Sequence, residues 1–286
     1  MQIGAYETIA PFMTTGSGDA RWCVAVKDEK QYFLKQFLAP VQPVQTSKAP
    51  SKQVLLRRQK CAAFETRKLK LYDSLAQLPK DRIVSVEDFF VHDGHYCAAS
   101  EYLGNSYQTL DTYRPAQQHE KIRLLLSLAQ CLQAVHACGV VHADLKPEHI
   151  VVEHNQNRER VRLIDFDSGF TEDTPPDAKS GMDADPVYLS PEAYLLLAGK
   201  SAELNRKLDT FAFGLIAHQM LTGELPGFDR TKYAYPYAAV LDGEKLFLSR
   251  EIGSTLQNLI QKTLKKKPAL RPADDIVCDS LNEALT

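Results

Sequence analysis

The chain has 286 residues, 44% of them hydrophobic, enough to bury the core of one two-lobed domain or two small ones. Its 34 basic and 36 acidic residues leave a formal charge of −2, which predicts no general attraction to nucleic acid or to an anionic membrane. Six scattered cysteines with no C-x-x-C pair, no basic or apolar leader at the amino terminus and no apolar run near the roughly 20 residues of a membrane helix predict a reduced, cytoplasmic protein.

In chain order, Thr8 to Met13, Arg21 to Lys27 and Tyr32 to Phe37 read as strands, with a turn at Asp28 to Gln31. The loop from Thr14 to Ala20 carries Gly16 and Gly18, whose backbone could approach a phosphate closely; a plain hairpin would use the same composition. Leu38 to Lys52 holds three prolines and reads as an irregular connector. A long helix follows from about Gln53 to Gln77, then a hairpin of Ile83 to His92 and His95 to Tyr102 about Asp93-Gly94, then a helix from Glu120 to about Ala137 with His136 as a packed or capping residue.

Next comes Val140-Val141-His142-Ala143-Asp144-Leu145-Lys146-Pro147-Glu148-His149-Ile150-Val151-Val152, a charged loop clamped between apolar runs, followed by Leu163-Ile164-Asp165-Phe166-Asp167. This is the layout of phosphoryl transfer, in which one carboxylate orients the attacking hydroxyl, a cation meets the moving phosphoryl group and a second carboxylate holds a metal. Asp144, Lys146 and Asp165 suit those roles in that order. Beyond a mobile segment from Asp165 to Glu192, Asp209 opens an apolar helix that Gly223 ends, and Leu256, Leu259, Ile260 and Leu264 mark another helix before Arg271-Pro272.

His142-x-Asp144-Leu145-Lys146 with Asp165-Phe166 21 residues after Asp144 resembles the catalytic and metal loops of the eukaryotic-like serine/threonine protein kinases, and its mixture of departures resembles the bacterial members more than the animal ones.

 This resemblance covers about residues 8 to 285 and implies an α+β fold: a bilobal kinase domain over 1–286, with a small β-rich lobe carrying one major helix to about residue 103 and a larger, mainly helical lobe over 104–286. It implies ATP in the cleft, with Gly16 and Gly18 over the phosphates, Lys35 gripping them, Glu65 aligning Lys35, and backbone groups near Glu101 and Leu103 on the adenine edge. Lys27, in a kinase-like Val-Ala-Val-Lys, is the rival to Lys35. Nine residues from Gly18 leave no room for a strand, a reversal and a return strand at about 3.3 Å per residue, whereas 17 do. Glu65 could instead pair with Lys68.

The implied reaction is transfer of the ATP γ-phosphoryl group to serine or threonine hydroxyls of a protein substrate. Asp144 and Lys146 are the catalytic pair, Asp165 the metal ligand, His142 a structural brace, and Arg271 the partner of Glu192. Several residues depart from the family pattern. Arg21 replaces a glycine, Phe33 replaces a small residue against the adenine, and Ala143 replaces an arginine that receives an activating phosphate. Asp185 replaces a threonine and is expected to pair with Lys146. His149 stands for a metal-binding asparagine and Asp167 for a glycine, so the second metal position is weakened or served by Asp167, and Mn²⁺ is expected to outperform Mg²⁺. A pseudokinase scaffold and a small-molecule kinase are the alternatives.

Overall fold

Short apolar alternations separated by tight turns dominate the first hundred residues, and they pair into an antiparallel sheet. The computed structural model describes residues 1–14, 19–44, 51–104, 107–115, 117–155, 158–177 and 184–286. It divides into one unit of Met1–Gln77 and Val84–Gly104 and a second of Leu78–Ile83 and Asn105–Thr286.

The first unit contains β1 (Gln2–Ile3), β2 (Tyr6–Thr8), β3 (Met13–Thr14), β4 (Ala20–Lys27), β5 (Lys30–Phe37), α1 (Lys52–Leu75), β6 (Val86–His92) and β7 (His95–Glu101). The sheet order is β1-β2-β4-β5-β7-β6, with β3 also on β4. Asp28-Glu29 and Asp93-Gly94 close their hairpins with positive φ at both turn residues (50° and 62°, 48° and 78°), the twist that adjacent strands favour. The expected strand over Thr8 to Met13 is instead two short pieces. Pro11, between them, has no N–H to give to a ladder.

Side chains alternate between two apolar layers. On one face Ala20, Phe37, Tyr96 and Ala98 meet Cys61 of α1. On the other, Cys23, Ala25, Leu34, Cys97 and Ala99 are covered by Ile3 and Tyr6 of the first two strands. Burial on both faces explains why β7 reads as an almost unbroken apolar run. The helix begins where the Ser51 hydroxyl accepts the Val54 N–H, a local cap that the preceding proline-rich stretch leaves available.

The second unit contains β8 (Tyr107–Thr109), α2 (Gln118–Ala137), β9 (Val140–Val141), β10 (Ile150–Asn155), β11 (Arg158–Leu163), β12 (Phe170–Thr171), α3 (Pro191–Leu197), α4 (Lys207–Thr222), α5 (Pro236–Leu241), α6 (Ser254–Thr263) and α7 (Asp274–Glu283). Two small sheets, β11-β10-β8 and β12-β9, frame the charged loop that follows β9. Every residue of α4 from Leu208 to His218 is buried, so this helix is apolar nearly all round and forms the axis on which α2 and α6 pack. Gly214 permits the close approach of α6: a β-carbon there would lie 2.1 Å from Thr263 Oγ1. Gly223 ends α4 in the left-handed conformation, φ 85°. Among the described residues no helix is long and apolar enough to cross a membrane, and the six cysteines are unpaired.

Arg271 and Glu192 meet as the sequence predicts, in a buried fork with Nη1–Oε1 2.6 Å and Nη2–Oε2 2.8 Å. The remaining guanidinium N–H groups donate to the carbonyls of Lys207, Lys265 and Lys266, so the charge is fully hydrogen-bonded. Removing one partner strands the other in a dry site. Glu192→Ala should therefore lower unfolding free energy by about 3–5 kcal/mol, measured by urea denaturation followed by circular dichroism.

Candidate active site

The second unit gathers its charged residues on the loop between β9 and β10. Asp209, fully buried near the start of α4, holds that loop from beneath: Oδ2 accepts the His142 N–H at 2.8 Å and Oδ1 the Ala143 N–H at 2.9 Å. The paired bonds offset the cost of a left-handed Ala143, φ 68°, which for a residue with a β-carbon is about 1–2 kcal/mol. Asp209 lies in the first turn of α4, and its carboxylate serves the catalytic loop rather than the helix end.

The Ala143 side chain packs in an apolar cluster with Val141, Phe170 and Leu189, where the family pattern has an arginine. His142 is also fully buried and its Nε2 lies 3.0 Å from the Ile164 carbonyl, joining the loop to the residue before Asp165. Burial pushes the His142 imidazole below its ordinary pKa, so it acts as a neutral donor to that carbonyl. This is the bracing role expected of it.

Asp144 is gripped on both oxygens. Oδ1 accepts the Asp185 N–H at 2.9 Å, and Oδ2 lies 3.3 Å from Lys146 Nζ and 3.4 Å from His149 Nδ1. The expected Lys146 to Asp185 ion pair is not formed. The Asp185 carboxylate turns instead to the Val187 N–H at 2.8 Å, closing a local turn, and it is the Asp185 backbone that touches Asp144.

His149 Nδ1 also lies 2.8 Å from the Asp144 carbonyl, which can only accept, so Nδ1 carries the proton. Nε2 faces Asp165 Oδ2, 3.6 Å away. Mg²⁺ characteristically takes only one or two protein carboxylates and completes its shell with phosphate and water. Among the described residues no group of three or more His, Cys, Asp or Glu is placed to hold a metal ion. Asp165 is itself left-handed, φ 59°, a strained backbone of the kind that persists where surrounding structure fixes it. Asp167 lies in the turn that follows.

In the first unit, Lys35 lies on β5 opposite Trp22 of β4 and Ala98 of β7, the central position that the spacing argument requires. Lys27 is at the end of β4, where it pairs with Asp88 at 3.5 Å and sits over the Tyr6 ring, so it is engaged rather than simply solvated. Glu65, on α1, accepts from the Tyr96 hydroxyl at 3.1 Å. Burial, with Glu65 adding to it, pushes the Tyr96 phenol up to about 12, keeping it a donor. Lys68 is buried among the rings of Phe37, Phe64 and Tyr72 rather than lying on a surface.

Glu101 ends β7 and Leu103 follows it. Phe33 shares a sheet face with Lys35 and stacks on Trp22, ring centroids 4.9 Å apart. Arg21, on the opposite face, bonds to Gln36 at 2.6 Å and covers the Phe12 ring. Gly16 and Gly18 lie outside the described residues.

The sequence reading missed three features. His136 is not merely packed: it bridges Asp209 and Asp274. Glu172, just after β12, takes a two-pronged ion pair from Arg206. The Asp185 N–H contact carries no residue-type signature at all.

A buried aspartate bracing a loop of Asp144, Lys146 and His149, with Asp165 beside it, is an arrangement of the protein kinase class. Residues 45–283 match the protein kinase domain family, and the chain belongs to it. It is 30% identical over 212 residues to the serine/threonine-protein kinase pkn2 of Myxococcus xanthus, covering 69% of this chain and 24% of that protein. It is 30% identical to pkn3 of the same organism, covering 66% and 36%. The chain thus spans about a quarter to a third of the length of these relatives. In fold it is similar to the kinase domain of Mycobacterium tuberculosis PknI, with a TM-score of 0.64, 19% identity, and coverage of 100% and 98% of the two chains.

Asp209→Ala should release the loop and shift Asp144 while leaving its carboxyl group itself unaltered. A misplacement of about 1 Å at a reacting group costs on the order of 10²-fold in rate, so phosphate incorporation should fall by about that factor, measured with labelled ATP.

Proposed function

We propose that the chain transfers the γ-phosphoryl group of ATP to serine and threonine hydroxyls of protein substrates. The observation that carries this reading is the set of contacts on Asp144, which fix one carboxylate beside an ammonium and next to a second carboxylate at Asp165. Asp144 orients the acceptor hydroxyl and takes up its proton; Lys146 steadies the γ-phosphate. Lys35 grips the inner phosphates with Glu65 as its aligning partner, and the backbone near Glu101 and Leu103 holds the adenine edge. Asp165 would hold the metal, helped by His149 or Asp167, and the ion supplies neutralisation of phosphate charge when bound. An imidazole in the donor set favours Mn²⁺ over Mg²⁺. The bacterial relatives support a bacterial origin, and the unpaired cysteines support a cytoplasmic setting.

A second reading, a nucleotide-binding scaffold without turnover, draws on the Asp185 N–H that occupies Asp144 Oδ1 and on the bulk of the Trp22 and Phe33 pair.

Asp144→Ala should reduce labelled phosphate incorporation by about 10²- to 10⁴-fold while preserving the thermal shift given by ATP. An equal thermal shift with no incorporation by either protein would favour the scaffold. Mn²⁺ should support a higher rate than Mg²⁺, and Asp167→Gly should lower the rate; equal rates with both ions and an inert Asp167→Gly would refute the metal assignment.

Trp22 is the single tryptophan of the chain, so ATP bound against its stacked partner Phe33 should change its fluorescence saturably. The change should persist in Asp144→Ala. No change at saturating ATP would place the base away from this pair.

A further inference from the structure

His136, in the last turn of α2 and 1% exposed, lies between two carboxylates. Its Nε2 is 3.0 Å from Asp209 Oδ2, and its Nδ1 is 3.0 Å from both oxygens of Asp274, in the first turn of α7. A neutral imidazole has one N–H and can satisfy only one of these acceptors; the imidazolium satisfies both. We propose that Asp274 is a positioning residue for phosphoryl transfer, holding His136 doubly protonated so that it clamps Asp209, which in turn carries the catalytic-loop backbone. The inference rests on the proposed kinase activity for its consequence, though not for its geometry.

The groups around His136 agree with this arrangement. From α4 comes Asp209, and from α7 Asp274. From the segment after β12 comes Glu172, and from the N-cap and first residue of α4 come Arg206 and Lys207, which act on Asp274. Burial alone would lower the His136 pKa, but hydrogen bonds and charge from Asp209 and Asp274 outweigh it and raise it to about 9. Burial likewise opposes ionisation of Asp274, and the His136 bond and charge reverse that, leaving its pKa below the ordinary carboxylate value.

The signs are therefore opposite at the two ends of the pH scale. The His136 contribution is full below about 6.5, its unfolded value, and is lost as pH rises through about 9. The Asp274 contribution is present above its ordinary value and is lost as pH falls through its lowered one. Between those limits Asp209 keeps a cationic neighbour, and the two N–H groups of His142 and Ala143 keep a fixed acceptor.

The test compares wild type, Asp274→Asn, Asp274→Glu, His136→Asn and the His136→Asn/Asp274→Asn double variant. Histidine NMR should show His136 titrating more than one pH unit lower in Asp274→Asn, and hydrogen exchange at the His142 and Ala143 amides should speed about tenfold. The rate kcat should fall while KM for ATP stays within twofold, with the alkaline fall in rate beginning at lower pH. Asp274→Glu should restore much of each property, which also serves if Asp274→Asn folds poorly. The double variant should be no worse than His136→Asn.

Unchanged titration and exchange in Asp274→Asn, or additive losses in the double variant, would overturn the proposal. A wild type that transfers no phosphate but shows the expected titration and exchange would sink the kinase reading and leave the clamp standing.

Discussion

A single buried carboxylate, Asp209, is what the second unit is arranged to hold. It accepts two backbone N–H groups from the loop carrying Asp144 and lies against the His136 ring, so three contacts from two parts of the chain converge on two oxygen atoms. Charge-assisted bonds of this kind are about twice as strong as neutral ones, and in a dry site each lost donor or acceptor is costly. The apolar helix α4 supplies the dry surroundings, and the Arg271 to Glu192 fork fastens its flank. Asp144 therefore owes its position to residues that never touch a substrate.

The first unit solves a different problem. A sheet must present Lys35 and the aromatic pair Trp22 and Phe33 on one face without exposing the other. Ile3 and Tyr6, from the amino-terminal strands, cover that second face. Tyr6 does more than fill space: its hydroxyl donates to Asp88 at 3.0 Å and its ring stacks on Phe90, so the added strands are tied to β6. Phe33 is consequently fixed from its own side by Trp22, which makes the roof above Lys35 an aromatic one.

Features written in local spacing were legible in the sequence. The position of Lys35 followed from the residues needed to build a hairpin, the Asp93-Gly94 turn from its composition, and α4 from an apolar run closed by glycine. The Arg271 partner followed from family resemblance. Features that depend on folded register were not legible. Nothing local connects His136 to Asp274, 138 residues away. Trp22 meets Phe33 only once β4 and β5 have paired. Asp185 touches Asp144 through its backbone, so no choice of side chain could announce it, and the side chain that was expected to bind Lys146 is taken up by a local turn. The interrupted strand near Pro11 was readable, since proline withholds a ladder donor, but the surrounding β-branched residues outweighed it.

The six residues Leu78–Ile83 belong to the second unit although the chain returns to the first immediately afterwards. Ile83 bridges Leu163 in parallel, its carbonyl accepts from Arg162 at 3.2 Å, and Arg82 accepts the Leu163 N–H through its own carbonyl at 3.0 Å. The polypeptide thus enters the second unit twice. A single cut near Gly104 leaves on the amino-terminal piece the residues that complete the edge of β11. Gene fusions, split reporters and evolutionary domain swaps in this chain are constrained to respect three crossing points, at 77/78, 83/84 and 104/105, and an exchange of the amino-terminal unit alone has to carry residues 78–83 across or supply their equivalent.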